Sequence, residues 1–146
     1  MCAAQAALLC RSSYFQALFL GDMRESRLST VRIEQVRHPI FLATLEYLYT
    51  DRLRIPLDYA MELFEAADQF CIPRLQTMCE KRMLQSITVD NAATIFHAAD
   101  MHTAHNLRSK SLKYILSHFE EVSKTSAFEE MGRSNMELVF EILRNR

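Results

Sequence analysis

The chain has 146 residues, with 17 basic and 18 acidic side chains for a net charge of −1, and 49% of it is apolar, the mixture of an ordinary soluble globular chain. That length holds one domain or two small ones, and near-neutral charge is a poor match to the counterion displacement that nucleic-acid binding requires. Only Gly21 and Gly132 are present, so the glycine-rich phosphate loops and the nucleophile elbow, which need clustered glycines, are excluded.

In chain order, Val31 and Ile33 alternate with Arg32 and Glu34 and predict a short strand. Pro39 suits a first helical turn, and Phe41, Leu45 and Leu48 make a helical face behind it. Leu53 and Ile55 around Arg54 predict a second short strand. Two such strands bury themselves only by pairing within a small mixed sheet. Asp58 stands as N-cap to a helix striped with Tyr59, Leu63, Ala66, Ala67 and Phe70. Pro73 restarts the chain, and Leu75, Met78 and Cys79 continue on another helix. Thr88 caps the next, with Asp90 in its first turn against the helix dipole and Ala92, Ile95, Phe96 and Ala99 facing inward. Leu112, Ile115, Leu116 and Phe119, then Met136, Val139, Phe140 and Leu143, predict two further buried faces.

The run Leu63-Phe64-Glu65-Ala66-Ala67-Asp68 recurs 32 residues on as Ile95-Phe96-His97-Ala98-Ala99-Asp100. Two copies fall short of the three or more that close a solenoid core, which leaves two helix pairs packed alike. Cys2 and Cys10, like Cys71 and Cys79, have seven residues between them, too far apart for the usual paired zinc ligands. Nothing marks secretion, so the expected setting is intracellular, with reduced cysteines used as small core residues. No apolar run approaches the eighteen or so residues that span a bilayer. His97, Asp100, His102 and His105 form the most metal-like grouping, but Met101 to Ala104 resembles a helix end, and a polar interhelical corner without metal is expected there. Glu120-Glu121 and Glu129-Glu130 are adjacent and diverge on a helix, unlike catalytic carboxylates converging on a cleft. Arg108, Lys110 and Lys113 read as a solvated helix flank. Taken together, these residues describe a binding or scaffolding module with no cofactor.

The segment Ala7-Leu8-Leu9-Cys10-Arg11-Ser12-Ser13-Tyr14-Phe15, ending in Leu18-Phe19, resembles the signature helix of BTB/POZ domains. Val31-Arg32-Ile33-Glu34 is similar to the strand that follows in that family. Phe41 through Leu45, Tyr47 and Leu48-Tyr49-Thr50 resemble its next helix. Leu63 to Phe70, then Leu75 and Cys79-Glu80, resemble the closing helical pair. Thr88 to Ala93 and Ala99 to Ala104 continue the resemblance into the helical extension called the 3-box or BACK region. That stretch looks like the one in speckle-type POZ protein and in BTB proteins with chromosome-condensation-type propellers.

The resemblance implies an α+β, mainly α fold: a BTB/POZ-like helical cluster with a small residual sheet, then BACK-like helical pairs. Residues 1–86 would form a partial BTB/POZ domain and residues 87–146 the extension. The family carries a helix and two strands ahead of the signature helix, so weakened self-association and an open edge at Val31–Glu34 are expected. Members with this extension commonly serve as substrate adaptors of cullin-3 ubiquitin ligases, in the cytoplasm, the nucleus or both. The resemblance puts Met23, Glu25 and Tyr49 against the cullin-3 N-terminal region, Met23-Arg24-Glu25 standing at the family's hydrophobic-x-Glu position, and leaves Tyr49 open as a core tyrosine. An unidentified cargo protein is the other expected partner; nucleic acid and membrane are not. An oligomerising or transcriptional scaffold without ubiquitin chemistry is the alternative, and no enzymatic activity is expected of either.

Overall fold

The computed structural model describes residues 8, 10–21, 32–52 and 54–146, in two compact units, Met1–Glu80 and Lys81–Arg146. In the first, α1 (Ser13–Leu20) is capped by Ser12, whose hydroxyl accepts the Phe15 amide at 3.3 Å. The same buried hydroxyl donates to the Phe70 carbonyl, so one side chain fixes the helix start both locally and to distant chain. Helix α2 (His38–Thr50) carries Pro39 in its first turn, where the missing N–H costs nothing. It buries Ile40, Thr44, Tyr47 and Leu48, with Phe41 and Leu45 half-buried beside them. Thr44 satisfies its hydroxyl on the Ile40 carbonyl at 2.9 Å. A single 3-10 turn, Leu57–Tyr59, leads into α3 (Ala60–Gln69), and α4 (Pro73–Gln85) follows.

Phe70, at the end of α3, is fully buried and gathers these helices. Its ring stacks on Phe15 at 5.2 Å between centroids and meets Tyr14 edge-on at 5.3 Å. Phe41 of α2 closes the cluster at 6.0 Å. Offset and edge contacts of this kind add about 0.5–1.5 kcal/mol per pair beyond area burial.

The expected small sheet is absent from the described residues, and this corrects the α+β assignment. Val31 and Leu53 lie outside the described residues. Arg32 and Glu34 pair with each other along the chain at 3.4 Å, both largely exposed, with Ile33 half-buried between them. Side chains two apart facing one way fit extended chain, but no ladder forms. Arg54-Ile55 runs into Pro56, which has no N–H for a ladder and instead accepts the Tyr59 amide at 3.1 Å. Alternation over three or four residues is too short to distinguish strand from exposed coil. The helical expectations hold broadly.

Two caps also move. Tyr59, not Asp58, sits at the N-cap of α3, because the 3-10 turn takes up Asp58. The helix expected after Thr88 begins later, as α5 (Ala92–Met101), with Asn91 at its N-cap. The Asn91 side chain accepts the Thr88 amide at 2.7 Å and donates to the Ser86 carbonyl at 3.0 Å, holding residues 88–91 in a turn.

The second unit continues with α6 (His105–Ser117), α7 (Phe119–Val122), α8 (Ser126–Ser134) and α9 (Met136–Asn145). Their core is Ala92, Ala93, Phe96, Ile115, Val122, Met131, Leu138 and Ile142. Thr125 and Asn135 cap α8 and α9 through their side chains. The face expected to be buried on α9 is corrected in part: Leu138 and Ile142 are inside and Val139 packs against the core, while Met136, Phe140 and Leu143 stand 54%, 49% and 49% exposed. The apolar arc of α9 is wider than one face, and periodicity alone does not choose which part packs.

The 32-residue echo has a local cause. Helices α3 and α5 end alike, in residues of left-handed backbone: Cys71 at φ 53° and Thr103 at φ 53°. The next amide then reaches back, Ile72 to the Ala67 carbonyl at 2.8 Å and Ala104 to the Ala99 carbonyl at 2.9 Å. Both are Schellman endings, normally occupied by glycine. A β-branched threonine is costly there, so Thr103→Gly should raise stability by about 0.5–1 kcal/mol in urea unfolding, and a loss of stability would contradict this. Phe70→Ala should lower it by about 3–5 kcal/mol, as measured by chemical denaturation; a loss under 1 kcal/mol would show that the aromatic cluster is not central.

Candidate protein-interaction surface

The last turn of α2 sorts its tyrosines. Tyr47 faces the core at 2% exposure, and Tyr49, two residues on and across the helix, stands 53% exposed. Leu42 lies two turns before Tyr49 on the same outer face, 50% exposed, with exposed Glu46 between them. The result is a leucine, a carboxylate and a phenol in line on a helix whose opposite face is packed. A phenol joins an apolar body to a polar tip, which suits a partner surface. In the sequence Leu42 lies outside the Phe41, Leu45 and Leu48 stripe, and its seven-residue spacing from Tyr49 is the signal that places the two on one face. Met23 and Glu25 lie outside the described residues.

The charged groups act mainly as fasteners. Asp51 ends α2 at φ 57° and receives Arg11 Nη1 at 2.8 Å and Arg74 Nη1 at 3.0 Å. Arg37 holds Glu62 of α3 through Nε at 2.7 Å. In the second unit Arg108 of α6 donates Nε to Asp100 of α5 at 2.8 Å and both Nη groups to Glu141 of α9, at 2.9 and 2.6 Å. Its guanidinium also lies over the Phe96 ring, 5.1 Å from the centroid. Its hydrogen bonds to Glu141 first, then to Asp100, raise its pKa further. Arg108 is therefore no member of a solvated flank, as expected from its neighbours Lys110 and Lys113, which are exposed. The missed signal was the pairing of an arginine with acids eight residues before and 33 after, which only the fold brings together.

Chemistry at these positions is limited. Burial, with the Glu80 charge adding, pushes the Cys79 thiol up to about 12, so it stays protonated and shielded from attack. Cys10 and Cys71 are exposed free thiols. His97 is half-buried on α5, His102 lies in the following turn and His105 opens α6; among the described residues no three His, Cys, Asp or Glu groups gather as a metal site would need. No helix among the described residues is long and apolar enough to cross a membrane.

Residues 1–87 match the family model of the BTB/POZ domain. The chain belongs to the BTB/POZ family. Residues 92–145 of this BTB/POZ chain match a second model, BTB And C-terminal Kelch, or BACK. TD and POZ domain-containing protein 4 of Mus musculus is 33% identical over 139 residues, which cover 94% of this chain and 38% of the relative. The chain thus spans well under half the length of that curated relative. BTB/POZ and BACK domains are protein-interaction modules, so the outward face of α2 belongs to a chain built for binding partners.

The carboxyl of Asp51 is held below the usual carboxylate range by the Arg11 hydrogen bond, against burial and with help from Arg74. The Arg37 hydrogen bond does the same for Glu62. A depressed carboxyl adds stability above its unfolded pKa, about 3.9 for Asp, and loses it as pH falls through the folded value. Unfolding measured against pH should give Asp51→Asn a shallower acid limb than the wild type; parallel limbs would show that the pair adds no pH-dependent stability.

Proposed function

We propose that this chain is a substrate adaptor of a cullin-3 ubiquitin ligase, in the cytoplasm, the nucleus or both. It has no chemistry of its own in this reading. A BTB/POZ module, residues 1–86, holds the N-terminal region of cullin-3, and residues 87–146 form a BACK-like extension. A cargo protein, tethered by the same polypeptide, then meets the charged E2 at high effective concentration. Met23 is the anchor, since a flexible thioether fills irregular apolar grooves, with Glu25 and Tyr49 as its neighbours. What supports the reading most is Tyr49: exposed beside exposed Leu42, while Tyr47 takes the core position.

The second reading, an oligomerising or transcriptional scaffold without ubiquitin chemistry, draws on Met136, Phe140 and Leu143, which leave an apolar stripe of α9 open to solvent. Calorimetry against the cullin-3 N-terminal region separates the two. Truncating a buried anchor costs about 1–3 kcal/mol, so Met23→Ala should weaken binding roughly 5- to 150-fold. Tyr49→Ala should weaken it in the same direction, and Glu25→Ala should weaken it less if its carboxylate stays at the wet rim. Thermal melts run beside each variant separate lost contact from lost fold. Wild-type affinity in Met23→Ala and Tyr49→Ala, or no binding by the wild type, would end the adaptor reading. Self-association abolished by Phe140→Glu would then favour the scaffold.

A further inference from the structure

The end of α2 and the start of α4 enclose a cleft of about 240 Å³ lined by Arg11, Tyr47, Asp51, Ile72, Pro73 and Arg74. Two guanidiniums meet one carboxylate there, so the charges do not cancel: the cleft keeps one positive charge in excess. Among the described residues neither arginine is used up. Each offers five N–H donors, and each gives Asp51 only its Nη1. Arg74 is 72% exposed, leaving its remaining fork turned to solvent. Beside the charge lies apolar lining from buried Ile72 and exposed Pro73. Drug-sized ligands take pockets of about 300–1,000 Å³, so this volume suits one or two side chains rather than a cofactor.

We propose that this cleft docks a segment of a partner protein carrying a carboxylate side chain next to an aliphatic one, the carboxylate on the free fork of Arg74 and the aliphatic group against Ile72 and Pro73. Tyr49 is not among the residues that line the cleft, and the proposal does not depend on the cullin reading. Charge complementarity decides the occupant. A planar carboxylate accepts two parallel N–H bonds from a guanidinium fork, whereas a neutral amide would leave the excess charge unanswered. Asp51 remains in place as the group that aims both arginines.

The test is a titration of the whole 146-residue chain with a capped Glu-Leu dipeptide, followed by amide and arginine Nε shifts in NMR. Saturable shifts are expected at Asp51, Ile72 and Arg74. The isosteric Gln-Leu probe should bind at least tenfold more weakly, as should Glu-Leu to Arg74→Gln. Arg74→Lys keeps the charge without the fork and should fall between. Circular dichroism on both variants checks that this exposed position leaves the fold intact. Equal binding of Glu-Leu and Gln-Leu, no saturable shift, or full binding by a folded Arg74→Gln chain would overturn the proposal. Inorganic phosphate shifting the same amides at equal or lower concentration would also overturn it, since the aliphatic half would then contribute nothing.

Discussion

Phe70 carries the first unit. Its ring receives Tyr14 and Phe15 from α1 and Phe41 from α2, and its carbonyl takes the Ser12 hydroxyl that also starts α1. Helix α1 has 8 residues, well short of the 12–15 or so at which an isolated helix becomes even marginal in water. It exists because one buried residue at the end of α3 binds it by both ring and backbone. The same anchoring fixes the rotation of α2, and with it the outward placing of Leu42 and Tyr49. That outward face is thus a consequence of where Phe41, Ile40 and Tyr47 must go.

Arg108 has the corresponding role among α5, α6 and α9. A half-buried guanidinium that meets two carboxylates and an aromatic face joins three helices in one geometry. Removing such a hub would leave Asp100 and Glu141 facing each other without their cation, a larger loss than any exposed pair would give. With α9 held by Glu141, Leu138 and Ile142 and with Val139 packed at the core's edge, the remaining apolar residues have no core left to enter. Met136, Phe140 and Leu143 stay outside for that reason.

How much of this was legible in the sequence follows from the range of each signal. Helix spans, the Pro39 start, the repeated α3–α4 and α5–α6 turns and the family motifs are local, and they could be read directly. The sheet could not, because Ile33 and Ile55 alternate over too few residues to separate strand from coil. Asp58 and Thr88 looked like caps because cap preference is a matter of residue type, while the 3-10 turn at Leu57–Tyr59 and the Asn91 side chain decided the outcome. Arg108 looked solvated because its acids lie far off in the chain. Of the candidate site, Tyr49 was readable by motif, its separation from Tyr47 only from packing, and Leu42 not until both helix faces were known.

One division of labour underlies the proposed function: residues such as Phe70 and Tyr47 are buried and hold the fold, and the exposed residues of α2 are left free to meet a partner. Cross-saturation NMR of the chain in complex with the N-terminal region of cullin-3 examines it directly, because it reports which protons lie against the partner. The account predicts strong intensity loss at the Leu42 methyls and the Tyr49 ring, with Leu63, Phe64 and Phe70 unaffected. A complex in which Leu42 and Tyr49 keep full intensity while loss falls elsewhere, or no complex at all, would contradict it.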